Sequence, residues 1–299
     1  MGQVLVLGLI NAGIYAVFAL GVVLVYRGTG VLTFAQGEIG TLGLYVAYVL
    51  VTEQHLPWLV GAAGALLVTT ALGAAFELLL VRRMVAADPV STAVLTVGLG
   101  LTILACEFFF FGASPRVLDP PFLSASFTVA GVVVTPTQVA ALVVALALGF
   151  GLQAVLRRTD FGLGILAASQ DAAAVRLVGI PLSRITLVLW SGGAFLAGLA
   201  ALLVEPTVGT VTPGYASELF VVGLAAAVIG GLTSLPGAVV GGVVLGIAES
   251  AASRYLSDAN IPGLRYVTVF AVLLAVLLYR ALAPELRRRL APAPAGATA

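Results

Sequence analysis

The chain contains no lysine: all 14 of its basic residues are arginine. A phosphate-binding P-loop needs a lysine to reach the β- and γ-phosphates of a nucleotide. This chain therefore carries no such site, and any ATP hydrolysis that drives it belongs to another polypeptide. Charge of either sign is scarce, at 9% of residues with a net charge of +1, which makes no case for a nucleic-acid partner. There is one cysteine, Cys106, and one histidine, His55. No intrachain disulfide and no Cys/His metal cluster can form from these, and free Cys usually behaves as a small hydrophobe. A Ser/His/Asp constellation is equally out of reach, because His55 lies in a short loop between apolar runs. No catalytic residue, metal ligand or cofactor site is expected.

Apolar residues are what the chain has in excess. They make up 61% of its 299 residues, and the mean hydropathy is +1.16. Soluble domains hold about 45–50% apolar and about 25% charged residues, so lipid must be the solvent for much of this surface. A spanning helix takes about 20 mostly apolar residues. Candidate spans are Val4–Tyr26, Val31–Val51, Trp58–Val81, Val90–Phe111, Pro136–Leu156 and Arg184–Val204, then a long apolar region Glu218–Ala252 and a last span Gly263–Leu282. The N-terminus turns apolar at once without a basic leader region, which reads as an uncleaved span. The fold class is an all-α polytopic membrane protein, a bundle of about eight or nine transmembrane helices. The membrane domain covers residues 1–286, and residues 287–299 form an Ala/Pro-rich tail expected to be disordered.

Arginine positions orient the bundle. Arg82 and Arg83, then Arg157, Arg158, Arg176 and Arg184, then Arg287–Arg289 lie in alternate connections, whereas Glu53–Pro57 and Glu205–Ser217 carry none. Arginine-bearing loops face the cytoplasm, which puts the N-terminus outside and the C-terminus inside. That parity needs an odd number of crossings. It is met if the region 218–252 is a hairpin of two short helices, broken at Gly230–Gly237. A single crossing there would give eight and reverse one terminus. The hairpin is the preferred expectation, at the cost of leaving Arg254 and Arg265 near the outer face. Proline at 115, 120 and 121 excludes helix from the longest outer connection, and Phe127–Val134 reads as a short strand or cap.

Ionisable groups inside a span cost about 2.5–3.5 kcal/mol each on the insertion scale, so each requires a reason. Glu38 sits in Gln36-Gly37-Glu38-Ile39-Gly40, where glycine and glutamine interrupt an apolar span. Either this marks a broken helix lining a pathway, or Glu38 reaches the inner interface or pairs with Arg27. Glu77 is expected to snorkel or pair with Arg82 or Arg83. Glu107 lies near an outer end, and Glu249 within reach of Arg254. Asn11 and Tyr15, one turn apart, form a polar stripe for the pathway or for interhelical bonding. The candidate pathway set is Asn11, Tyr15, Gln36, Gly37 and Glu38. Gly237 with Gly241, and Gly242 with Gly246, place small residues on single helix faces and read as helix-packing positions.

The inner connection 157–183 contains Asp171-Ala172-Ala173-Ala174-Val175-Arg176-Leu177-Val178-Gly179-Ile180-Pro181. Asp171 suits a helix N-terminus, Gly179 a C-terminal stop, and Pro181 bars continuation. A helix of about two turns is marginal alone and makes sense if it docks into something. Here the chain resembles the permease subunits of branched-chain amino acid ABC transporters, the Liv-type importers, and in particular their H-type subunit. Three blocks carry the resemblance. One runs from Gly8 through Ala12-Gly13-Ile14-Tyr15-Ala16 and Ala19-Leu20-Gly21 to Gly30–Glu38, and the second is the inner connection itself. The third runs from Ala197-Gly198-Leu199-Ala200 through Pro206, Gly209 and Pro213 to Gly230–Gly242.

The resemblance implies half of a translocation pathway for branched-chain or related amino acids, in the cytoplasmic membrane of a bacterium. It further implies a second homologous permease subunit, two cytoplasmic P-loop ATPases and an extracytoplasmic substrate-binding protein. In that family the ATPases dock on the coupling motif, which maps here to Asp171, Ala172, Ala173, Ala174, Leu177, Gly179 and Ile180. The competing class is a stand-alone channel or secondary transporter for a small polar solute such as urea or an amide. It would show paired intramembrane acids, of which Glu38, Glu77 and Glu107 are a sparse version.

Overall fold

The apolar runs become helices, because backbone polar groups in lipid must be satisfied within their own segment. The computed structural model describes residues 2–84, 89–118, 127–129, 132–170, 175, 177, 179–256 and 262–290. Its α-helices are, in order, α1 (Gly2–Thr29), α2 (Gln36–Tyr48), α3 (Trp58–Leu79), α4 (Pro89–Phe111) and α5 (Pro136–Arg158). They continue with α6 (Asp160–Gln170), α7 (Leu182–Val208), α8 (Tyr215–Gly230), α9 (Leu235–Tyr255) and α10 (Leu264–Leu290). A π-helical turn, Val49–Glu53, extends α2, and a 3-10 turn, Val81–Met84, follows α3. Two short strands, β1 (Phe127–Val129) and β2 (Val132–Val134), pair antiparallel with Phe127 opposite Val134, so the expected strand is a hairpin.

Six helices (α1, α3, α4, α7, α9 and α10) are long and apolar enough to cross a membrane, and α5 with α6 adds a seventh as a pair bent by 85°. The protein is a multi-pass membrane protein. Its core is α1, buried over 78% of its apolar window against 6% for α10, which lies at the periphery. Phe18, Leu20 and Ile14 of α1 are enclosed by α5, α7, α8 and α9.

Residues 218–252 fold as two antiparallel helices, α8 and α9, joined by Gly231–Ser234. Gly231 takes φ +96°, which favours glycine, and Ser234 caps α9 by accepting from the Gly237 N–H at 3.1 Å. The four glycines on α9 divide between two neighbours. Gly237 and Gly241 press on Gly230 and Ala226 of α8, whereas Gly242 and Gly246 press on Ala16, Ala12 and Gly8 of α1. A methyl on Gly242 would stand 2.9 Å from the Ala16 backbone nitrogen, and one on Gly246 would stand 2.7 Å from that of Ala12. Backbones this close require that no side chain intervene. With Arg27, Arg82, Arg83, Arg157, Arg158 and Arg280 all at one end, that end is the inner one.

Three boundaries differ from expectation. The second span begins at Gln36 rather than Val31. Gly30 (φ +71°) ends α1, and residues 31–35 run non-helically through the bundle, with Thr96 of α4 accepting from the Phe34 N–H at 3.2 Å and donating to the Leu32 carbonyl at 3.3 Å. The inner connection holds a further helix, α6, whose N-terminus is capped by Thr159, its Oγ1 accepting from the Gly162 N–H at 3.0 Å. At the C-terminus α10 continues to Leu290, so Arg287–Arg289 belong to a helix and not to a disordered tail; residues 291–299 lie outside the described residues.

Candidate functional site

Two helices begin inside the bundle, and their first turns meet. Ala35, just before α2, sits against Gly100, the central residue of α4. Gln36 donates from Nε2 to the Gly193 carbonyl of α7 at 3.4 Å. The first turn of α8 abuts the same place: a methyl on Gly37 would lie 3.0 Å from Ser217 Cα and 3.1 Å from the Ala216 carbonyl. The absence of a side chain at Gly37 thus allows α2 and α8 to touch.

Polar groups tie this junction. Ser217 Oγ donates to Glu38 Oε1. The Ala216 N–H donates to Thr41 Oγ1 at 2.9 Å, supplying an acceptor to one of the orphan amides of a helix start. One turn outward, the Gly214 N–H donates to Oε2 of Glu107, which has no exposed surface. Gln36 Oε1, Glu38 Oε2 and Glu107 Oε1 are buried and have no protein partner. Glu38 therefore neither reaches the inner interface nor pairs with Arg27. It is held 94% buried in the interior, because α2 starts deeper than its apolar run suggested.

A second cluster lies nearer the outer end and gathers four helices around Arg265. The guanidinium of Arg265 (α10) lies 3.0 Å from Glu249 (α9) through Nε and 3.4 Å from Glu218 (α8) through Nη1. Its Nη2 donates to the Tyr15 hydroxyl (α1) at 3.0 Å, and that hydroxyl donates to Glu249 Oε2. Glu249 thus pairs with Arg265, not with Arg254, because α10 returns alongside the outer half of α9. The same arrangement explains how Arg265 is accommodated near the outer face. A cavity of about 330 Å³ opens beside it, lined by Thr210, Thr212, Tyr215, Glu218 and Arg265 among others. Tyr15 belongs to this cluster and not to the α2–α8 junction, which separates it from Gln36, Gly37 and Glu38. Asn11 lies one turn away from Tyr15, half-buried.

At the inner end, Asp171, Ala172, Ala173 and Ala174 of the expected coupling helix lie outside the described residues. Val175 and Leu177 are helical, the former buried and the latter 90% exposed. The Ile180 N–H donates to the Val175 carbonyl at 3.3 Å, and Gly179 takes φ +84°, so the chain turns there before Pro181 starts α7. Glu77 does not snorkel to Arg82 or Arg83. It is 1% exposed and accepts from Thr186 Oγ1 of α7 at 2.7 Å. Periodicity carried no sign of Thr186, Ser217, Thr41 or Arg265 as partners, since each lies on a helix remote in sequence. Among the described residues no group of three or more His, Cys, Asp or Glu is placed to hold a metal ion.

Comparison with known proteins places the chain in a family. The family model described as "Branched-chain amino acid transport system / permease component" matches residues 4–277. The chain belongs to that family. The permease is 29% identical over 290 residues to the high-affinity branched-chain amino acid transport system permease protein BraD of Pseudomonas aeruginosa, covering 93% of each chain. It is 29% identical over 282 residues to LivH of Escherichia coli, of the same description, covering 88% of each. It is 27% identical over 281 residues to a probable LivH of Methanocaldococcus jannaschii, covering 87% of this permease and 84% of the relative. No solved structure matches. Relatives across this length are transport-system permeases, so the protein is a transport component by family.

Proposed function

We propose that the chain is the membrane-spanning permease subunit of an ATP-driven importer, forming half of a translocation pathway for branched-chain or related amino acids. The observation that carries this reading is the buried junction of α2 and α8. Two helix starts meet inside the bundle through a glycine contact and a carboxylate–hydroxyl bond. Discontinuous helices with irregular backbone inside the membrane are tolerated where they line a cavity or are buried in protein, and they favour switching between arrangements. Alternating access is a rocking of such elements between inward and outward openings. Gln36, Gly37 and Glu38 contribute to the pathway at this junction, and Asn11 and Tyr15 at its outer approach.

Energy comes from partners, since the chain has no lysine with which to build a P-loop. Two cytoplasmic ATPases dock on the inner connection, with Asp171–Ala174, Leu177, Gly179 and Ile180 as the contact. A second permease completes the pathway, and an extracytoplasmic binding protein delivers substrate. The chain itself is a transport subunit and not an enzyme.

A stand-alone carrier is the second reading, favoured by the partnerless oxygens of Glu38 and Glu107, which are buried near one another. Purification in mild detergent from the native host, followed by mass spectrometry, separates the two. Two P-loop ATPases and a sister permease in the preparation support the importer. A homo-oligomer free of ATPase, under conditions that keep known complexes intact, overturns it.

A further inference from the structure

A sizeable cavity lies at the inner end, not at the junction. Its volume is about 690 Å³, within the range of about 300–1,000 Å³ typical of small-molecule sites. It is walled by the end of α1 (Gly28, Thr29), the end of α3 with its 3-10 turn (Glu77 to Met84), Thr92 of α4, and the stretch from Gly179 to Thr186. Its chemistry is of three kinds. Val31, Ile180, Leu182 and Ile185 present aliphatic surface, Glu77 a carboxylate and Arg82 a guanidinium.

Glu77 demands an explanation that its neighbours do not. It sits two residues from the inner end of α3, where a long acidic side chain can turn to water, as the exposed Arg82 does. Instead it is 1% exposed: Thr186 occupies Oε1, and Oε2 is buried without a protein partner. A buried acceptor left unpaired costs about 1–3 kcal/mol, which a donor arriving in the cavity would recover. Arg82 forms no ion pair among the described residues, so its charge is available to an anion at the cavity mouth. The combination discriminates. A lone carboxylate beside an arginine is a poor metal site, and a simple anion would meet Glu77. A molecule with an ammonium group, a carboxylate and a short aliphatic side chain satisfies all three surfaces.

We propose that this inner cavity is a binding site for a zwitterionic aliphatic amino acid, its ammonium group on Glu77 and its carboxylate on Arg82. The identity of the ligand rests on the importer reading above, since an amino acid brought inward would emerge at this end. Occupancy would also join α3 to the Gly179–Ser183 segment that leaves the coupling connection, placing the released molecule against the part that responds to the ATPases.

The test uses the complete assembly purified without its binding protein, in nanodiscs of phosphatidylcholine and phosphatidylglycerol, which offer no primary ammonium group to compete. Tritiated leucine should bind saturably. Isoamylamine and isocaproate, each lacking one of the two charged groups, should compete at least about tenfold more weakly, the scale of one lost charge-assisted hydrogen bond. Arg82→Gln should weaken leucine by about the same factor and leave isoamylamine unchanged, and Glu77→Gln should weaken both. Arg83→Gln, an exposed change beside the cavity, is the control that should alter nothing. Should Glu77→Gln fail to fold, Arg82→Gln still decides, because Arg82 is exposed. Leucine binding that ignores both substitutions, or no binding by an assembly that drives ATP-dependent uptake in cells, overturns the site. Absence of ATP-dependent uptake overturns instead the importer reading on which the ligand rests.

Discussion

Arg265 offers the sharpest stability test, because its three partners differ in burial. Glu249, 3.0 Å away, keeps 13% of its side chain exposed, whereas Glu218, at 3.4 Å, keeps 59%. Removing one member of a buried pair costs about 3–5 kcal/mol, since the other is left charged and unpaired. With 32% of the Arg265 side chain exposed, solvent screens part of that, and Arg265→Gln should destabilise by about 2–3 kcal/mol. Glu249→Gln should cost less, about 1–2 kcal/mol, because Arg265 keeps Glu218 and can turn toward water. The double variant removes the uncompensated charge and should cost no more than Arg265→Gln alone, a coupling of about 1–2 kcal/mol. Glu218→Gln should stay within about 0.5 kcal/mol of the parent, as exposed pairs contribute little. Equilibrium unfolding of the purified protein in one mild detergent reads all four. Additivity of Arg265→Gln and Glu249→Gln within about 0.5 kcal/mol would refute the network.

Glycine contacts make opposite predictions at different sites. Gly242→Ala and Gly246→Ala would push a methyl into the α1 backbone and should lower stability by about 1–3 kcal/mol, the cost of overpacking. Gly98→Ala and Gly151→Ala, with open space around them, should be neutral or stabilising by up to about 1 kcal/mol; the unfolding series just described reads this, and equal losses at all four positions would contradict it. Gly179→Pro cannot adopt the φ of +84° found there, and should abolish uptake while the protein still reaches the membrane. Glu38→Ala should likewise remove uptake at unchanged membrane level, with Glu38→Gln, which can still accept from Ser217, retaining part of it. Normal transport by Glu38→Ala in a cell uptake assay would remove Glu38 from the pathway.

How legible each feature was in the sequence follows from the range of the forces that make it. Spans such as Trp58–Leu79 and Pro89–Phe111 were readable because a run of apolar residues answers to lipid locally. The glycine pairs on α9 were readable because a spacing of four puts both residues on one face. The start of α2 was not. Val31 to Ala35 are more apolar than the helix that follows, and contacts remote in sequence, such as Thr96, 62 residues away from Phe34, show that protein and not lipid receives them. Hydropathy cannot distinguish those two surroundings. The partners of the intramembrane acids were hidden for a related reason. Glu38 and Glu77 were visible as costly residues, but Ser217 and Thr186 lie 179 and 109 residues away. Nearby arginines at 27, 82 and 83 looked nearer in sequence than they are in effect. The α6 helix was obscured by Gly162 and Gly164, which argue against helix, and is secured by the Thr159 cap.

The source of energy is the central question, and uptake in intact cells answers it most directly. Radiolabelled leucine uptake that depends on this gene would be compared after ATP depletion with arsenate and after collapse of the proton gradient with a protonophore, over times too short for the second to drain ATP. A permease driven by partner ATPases loses uptake in arsenate and keeps it through the protonophore. Uptake that survives arsenate and disappears with the proton gradient would contradict the importer and establish a secondary carrier in its place.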